Sequence, residues 1–188
     1  MRITQEKKQE NHDRIVEIAS RMFCERGFDG VGVAELMKQA GMTHGGFYNH
    51  FVSKEALIAE AAARGFVETS ERYANHDVGD VIDAYISRAH RDARGMGCPA
   101  AALSGDAARL PQDTKSVFGA GIAGLFAALE DSLVGRHPDP RARAISLLAQ
   151  AVGAVVLSRA CPDDAPLADE ILDTCRAACH ATVGSEAQ

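Results

Sequence analysis

The groups in this chain that could do recognition chemistry crowd into Val33-Ala-Glu-Leu-Met-Lys-Gln-Ala-Gly-Met-Thr-His-Gly-Gly-Phe-Tyr-Asn-His-Phe51. Thr43, His44, Gly45, Gly46, Tyr48, Asn49 and His50 are small or polar, while Met42, Phe47 and Phe51 are free to face inward. Leu36, Met37 and Ala40 form one apolar face at helical spacing. Gly41 falls where a left-handed residue ends a helix at little cost, and Thr43 can cap the next one. Two short helices joined around a glycine describe a helix-turn-helix, whose second helix enters the DNA major groove.

Two other groupings carry chemistry. Cys98 precedes Pro99, a good first residue of a helix, so the thiol would sit at a helix N-terminus, where the dipole favours a thiolate. The plain alternative is a small apolar residue lining a helical body. Cys175, Cys179 and His180, with Cys161 farther off, place two thiols on one helical face. Their surroundings are apolar and no CxxC or HxxxH pair accompanies them, so packed thiols are expected and no metal. No Gly-rich phosphate loop, nucleophile elbow or paired catalytic carboxylate is present, so no enzyme activity and no cofactor are expected. A contrasting class remains open: an all-α enzyme or interaction module with a non-functional helix-turn-helix.

The elements that must position these groups read as helices throughout. Tryptophan is absent from the 188 residues, which suits closely packed helices rather than aromatic-rich sheets. The net charge of -6 is uneven: residues 1–54 hold 8 Lys+Arg and 7 Asp+Glu (8 − 7 = +1), so the remainder carries -7. An acidic body with a neutral-to-basic head fits DNA bound at one end and argues against indiscriminate nucleic-acid coating. Met1 to Arg14 lacks an apolar h-region, and the longest apolar run, Ala149 to Leu157, is too short to cross a bilayer. A cytoplasmic location without a membrane partner follows as the expectation. Five cysteines, an odd number without the density of a disulfide scaffold, suit a reducing compartment.

In chain order, residues 1–10 read as a frayed polar arm whose Arg2, Lys7 and Lys8 could touch phosphates. Ile15, Ile18, Ala19, Met22 and Phe23 mark a first helix ending near Gly27, with Cys24 at its boundary. Ser53 caps a helix through Leu57, Ile58, Ala61 and Phe66. A break at Asn75-His76-Asp77 precedes a helix carrying Val81, Ile82, Tyr85, Ile86 and Ala89, which ends in Arg94-Gly-Met-Gly97. Asp106 and Arg109 stand three apart on the helix after Pro99. Val117, Phe118, Ile122, Leu125, Phe126, Leu129 and Leu133 stripe a long helix. His137-Pro-Asp-Pro140 and Cys161 to Pro166 delimit the last two.

From Ile15 to Leu57 the chain resembles the N-terminal domain of the TetR family of bacterial transcriptional regulators. The matching runs are Ile15-Val-Glu-Ile-Ala19, Met22-Phe23, Glu25-Arg-Gly-Phe28, Gly41-Met-Thr-His-Gly-Gly-Phe-Tyr-Asn-His-Phe51 and Ser53-Lys-Glu-Ala-Leu57. They cover about a quarter of the chain in a specific order; the rest matches in length and helical character only. The sequence departs from the family at Val31-Gly32, where Thr and Ser are usual, so no hydroxyl is available there for a cap or a phosphate. At Gly46 many relatives carry Thr, Ser or Ala.

The resemblance implies an all-α protein: a three-helix DNA-binding domain over 11–71 with its motif at about 33–52, and a helical effector-binding and dimerisation domain over 72–188. It assigns Thr43, Tyr48, His50 and Lys54 to phosphates and places His44, Gly45, Gly46 and Asn49 nearest the base edges. Hydroxyls, a phenol and an ammonium suit phosphate, Asn can pair with adenine and His can reach a guanine acceptor. On the residues alone, Tyr48 reads rather as a packing residue whose hydroxyl finds water, and His50 as a helix-end group meeting the terminal carbonyls.

On its residues the 117–133 stripe reads rather as core than as a pocket; the resemblance has this helix lining an effector cavity, and Tyr85, Met96, Cys98, Leu103, Phe118, Ile122 and Phe126 are the candidates to meet a small apolar or electrophilic effector. A two-fold homodimer would form through Ile145, Leu148, Val152, Val155, Leu167, Ile171 and Cys175. Two readers about 34–36 Å apart, or a multiple of that, would fit a palindromic double-stranded operator. The family default is a repressor released by its effector, with the hinge at Ala61 to Phe66. In a branch that senses electrophiles or oxidants a Gly-Cys pair stands near the position of Cys98, so a switch through oxidation or alkylation of Cys98 is the alternative.

Overall fold

The computed structural model describes residues 4–184, and within them every regular element is a helix. The first is α1 (Gln5–Arg26), begun by Thr4, whose hydroxyl accepts the Lys7 amide at 3.2 Å. This corrects the expected polar arm, since residues 5–10 are already helical because Thr4 supplies a cap; the contact expected of Arg2 lies outside the described residues. Ile15, Ala19 and Phe23 turn one face of α1 into the core. The second, α2 (Val33–Gln39), starts at Gly32 without a side-chain cap and buries Leu36 and Met37. Gly41 then adopts φ 73°, a left-handed conformation that turns the chain between the two helices of the motif. A single 3-10 helix, His44–Asn49, follows.

Ser53 caps α3 (Lys54–Tyr73) by accepting the Ala56 amide at 3.2 Å. Asn75, at φ 63°, makes the break before α4 (Val78–Tyr85), which Asp77 caps. Sequence periodicity carries that helix on to Ala89. The structure instead stops it at Tyr85, because the Ser87 hydroxyl accepts the His90 amide at 3.1 Å and starts α5 (Arg88–Asp92). After a 3-10 turn come α6 (Pro99–Ala107) and α7 (Gln112–Leu133). Asp139 caps α8 (Pro140–Ala160), and α9 (Pro166–Gly184) closes the body.

Reader and body share one continuous core. Phe23 of α1 meets Phe28 edge-on with centroids 5.4 Å apart, Phe28 meets Phe118 of α7 at 6.0 Å, and Phe118 meets Phe66 of α3 at 5.6 Å. Edge-to-face geometry sets the positive rim of one ring against the negative face of the next. α7 and α8 are long and apolar enough, by length and composition, to cross a membrane. That qualifies the reading of Ala149 to Leu157 as the longest apolar run, which leaves out the small residues on either side. Here both helices pack within the body, α7 against α3 and α8 against α9.

At the α3–α7 crossing Gly121 lies under the Phe66 ring, with no room for a Cβ. Gly121→Ala should therefore force the helices apart and cost roughly 1–3 kcal/mol of stability. Urea denaturation of variant and parent checks this; an unchanged midpoint would show that the crossing is loose.

Candidate DNA interface and C-terminal cavity

The reader is built from the inside out. Phe47 and Phe51 are buried with centroids 5.5 Å apart, and Met42 is half-buried beside them. This apolar side pins the 3-10 helix and turns Thr43, His44, Gly45, Tyr48 and Asn49 to solvent. Thr43 occupies the N-cap position but makes no side-chain capping bond, contrary to the expected cap, so its hydroxyl stays available. Tyr48 stands edge-on against Phe47 with centroids 5.3 Å apart and remains 70% exposed. A Cβ at Gly46 would meet only ordinary van der Waals neighbours, and one at Gly45 would meet nothing. Packing does not require glycine at either place.

His50 ends the helix with Nδ1 buried and unpartnered. Burial, followed by the nearby His12 and Lys8, lowers its pKa. His12 lies 4.5 Å from Phe51 ring to ring and meets Glu60 of α3 at 2.6 Å. Lys54 is engaged inside the domain: Nζ donates to the Phe28 carbonyl at 2.5 Å, holding the α1–α2 turn. That carbonyl takes one ammonium proton and leaves others for phosphate. The eight residues expected at DNA thus lie together along the 3-10 helix and the start of α3.

In the body, a cavity of about 670 Å³ opens between α3, α4 and α7. Thr69 and Tyr73 of α3, Val78, Val81 and Tyr85 of α4, and Leu125 and Leu129 of α7 contribute to its wall, with Leu148 from α8. Of the seven residues expected around an effector, Tyr85 lines it. Cys98, Leu103 and Phe118 are buried in packed core, Ile122 and Phe126 are half-buried along α7, and Met96 is exposed. The reason is the length of α7: Phe118 faces the reader, whereas Leu125 and Leu129, about two and three turns farther on, face the cavity. Thr69 and Tyr73 continue the buried stripe of Phe66 at helical spacing, a signal in the sequence that points to them.

Beside the cavity lies a buried polar group. The His90 Nδ1–H donates to the Tyr85 carbonyl at 2.7 Å, and Nε2 accepts the Cys98 amide at 3.2 Å, which fixes the neutral tautomer. Arg159 donates to the carbonyls of His90 and Arg91 at 2.8 and 2.9 Å. Cys98 is the N-cap of α6, as its place before Pro99 suggested, and is 1% exposed. Burial, with Cys98 nearby, pushes the Cys24 thiol up to about 12.

At the far end, His180 meets Asp83 at 2.7 Å instead of the cysteines, and burial pushes the Cys179 thiol up to about 11. No group of three potential metal ligands occurs among the described residues. Ile145, Val156, Leu157 and Leu167 expose apolar surface on α8 and α9, with Val152, Ile171 and Cys175 half-buried. Of the residues expected at a dimer face, Leu148 and Val155 instead point into the protomer, because α8 turns Ala144, Leu147, Leu148, Ala151 and Val155 to its own core.

A buried-faced 3-10 helix that exposes this set of groups, carried ahead of a helical body, defines a helix-turn-helix DNA-binding transcriptional regulator. Residues 15–61 match the model of the bacterial regulatory proteins of the tetR family. It is similar to the HTH-type transcriptional repressor NemR of Escherichia coli K12, 26% identical over 134 residues, which are 66% of this chain and 67% of that one. The fold matches the crystal structure of reduced E. coli NemR with a TM-score of 0.78 at 22% identity, covering 95% of this chain and 100% of the other. It also matches AibR in complex with isovaleryl coenzyme A and operator DNA, with a TM-score of 0.60 at 22% identity over 89% and 97% of the chains.

Tyr48→Ala should weaken DNA binding about equally at every salt concentration, because a neutral phenol releases no counterion, while leaving stability within about 0.5 kcal/mol. Lys54→Ala should weaken both, losing about 1 kcal/mol of stability with its bond to Phe28. Salt-titrated DNA binding and urea melts on the same preparations separate the two. Acid offers another check. Burial lowers the His90 pKa from 6.5, so the unfolded chain takes up that proton first as pH falls. The contribution of His90 is full above about pH 6.5 and is lost as pH drops below it. Melting temperatures from pH 7.5 to 5.5 should fall more steeply for the parent than for His90→Gln.

Proposed function

We propose that this regulator is a dimeric, cytoplasmic repressor released from a palindromic operator when a small molecule occupies the α3–α4–α7 cavity. One observation carries the reading: α3 runs unbroken from the reader, where Lys54 holds the α1–α2 turn, to the cavity, where Thr69 and Tyr73 form part of the wall. At 1.5 Å per residue it spans about 30 Å, so a tilt imposed at the cavity end displaces the reader. An effector that binds one tilt better than the other shifts the population by its differential affinity. NemR is named as a repressor, and AibR was captured with both a coenzyme A ester and operator DNA, which supports the same division of labour here.

Dimerisation is assigned to the exposed apolar residues of α8 and α9, and no catalytic role is proposed. A second reading rests on Cys98: its amide is held by His90, whose ring also holds the Tyr85 carbonyl, so a bulky adduct on the thiol would disturb a cavity wall.

The test is titration of the protein onto DNA from its own upstream region, with scrambled DNA as control. The expected result is specific, salt-sensitive binding of two subunits per site, lost in Val156→Glu together with the dimer in size-exclusion chromatography. Equal weak binding to both DNAs would remove the operator reading. Peroxide that releases the parent while sparing Cys98→Ser would favour the thiol switch; release of both would exclude it.

A further inference from the structure

The chemistry of the cavity wall narrows what it can hold. Among the lining residues Thr69 donates its hydroxyl to the Gly65 carbonyl at 2.8 Å and Ser132 donates to the Leu129 carbonyl at 2.7 Å, so both are engaged. Tyr85 differs. It is 4% exposed, and its hydroxyl, beside the weakly accepting Cys98 thiol, is the lining side-chain group found buried without a geometrically formed hydrogen bond among the described residues. Such a donor costs free energy until an acceptor meets it. Tyr73 stands beside it with ring centroids 6.1 Å apart, and burial holds both phenols above the ordinary tyrosine pKa, so both remain neutral.

The charged lining groups are exposed. Arg136 is paired with Asp77 at 3.5 Å, and Asp131 adds a second carboxylate. An incoming anion would compete with Asp77 for Arg136 and meet two carboxylates. The inner surface, formed by Val78, Val81, Leu125, Leu129 and Leu148, offers a charge nothing in exchange for its water. A volume of about 670 Å³ lies within the range that holds drug-sized ligands.

We infer that the cavity takes a neutral, largely apolar small molecule bearing one hydrogen-bond acceptor, such as a carbonyl oxygen, which receives the Tyr85 hydroxyl. This rests on the effector reading above for its regulatory meaning and on the wall alone for its chemistry. Tyr85 is the specificity-determining residue: the apolar wall binds the hydrocarbon body, and the phenol selects the oxygenated compound.

The test uses the full-length protein and three probes of one skeleton: 1-tetralone, the hydrocarbon tetralin, and the anion 5,6,7,8-tetrahydro-2-naphthoate. Calorimetric titration of the parent should rank the ketone about tenfold above the hydrocarbon, with the anion weakest. Tyr85→Phe, which keeps the ring, should bind ketone and hydrocarbon equally. Ala128→Trp, which fills the space from α7, should bind none of the three while keeping the parent's circular dichroism. A tighter anion, a ketone preference that survives Tyr85→Phe, binding unaltered by Ala128→Trp, or no binding of any probe by the parent would overturn the inference. Adding the ketone to the DNA complex separates the two readings. Tyr85-dependent binding that leaves the DNA bound would retire the effector role and leave the cavity chemistry standing.

Discussion

The contact on which the rest of the structure depends is the stack of Phe28, Phe118 and Phe66, where the turn after α1, the start of α7 and the middle of α3 meet. It exists because Gly121 lets the Phe66 ring lie against the α7 backbone. A side chain there would separate α3 from α7, and with them the reader from the body. The same place is braced by polar contacts. Lys54 of α3 holds the Phe28 carbonyl, and the Phe28 amide donates to Asp106 of α6 at 3.4 Å, so two helices grip one turn.

That arrangement gives α3 two jobs. Its N-terminal turn, capped by Ser53, fixes the end of the 3-10 helix that carries the exposed polar groups. Its C-terminal turn forms part of the cavity wall and ends at the loop where Asn75 takes a left-handed conformation. A close-packed interior transmits a shift at one end instead of absorbing it, since packing leaves few voids to collapse into. The hinge expected at Ala61 to Phe66 falls where α3 passes under α7, the point about which a tilt would turn.

Polar groups inside the body divide into satisfied ones and a few without a formed hydrogen bond among the described residues: Arg91 Nη1, both ring nitrogens of His137 and the Tyr85 hydroxyl. His90 spends both ring nitrogens on backbone, tying the end of α4 to the start of α6. Arg159 closes the carbonyls around it. Beside this group the Tyr85 hydroxyl has only the Cys98 thiol, a weak acceptor, near it, and it belongs to the residue shared between the polar group and the cavity. The exposed apolar residues of α8 and α9 stand apart from both, on surface that the protomer leaves uncovered.

The reader was legible in the residues themselves. Its signals are local: Gly41 at a positive φ, Ser53 at a cap and Phe47 and Phe51 at inward spacing are decided by neighbours within a few positions. Local chemistry also misled where a competing cap lay nearby, as at Thr4, which starts α1 early, and at Ser87, which divides one periodic stretch into two helices. The cavity was not legible in that way. An apolar stripe on α7 announces burial but not the partner each turn will meet. The crossing at Gly121 decided that Phe118 faces the reader while Leu125 and Leu129 face the cavity. Likewise both faces of α8 read as apolar, and only its packing against α9 determined that Leu148 and Val155 turn inward while Ile145 and Val156 stay exposed. Sequence determined the helices and the reader because caps and periodicity act over a turn or two; tertiary structure decided the cavity and the free face because those depend on how helices distant in the chain cross.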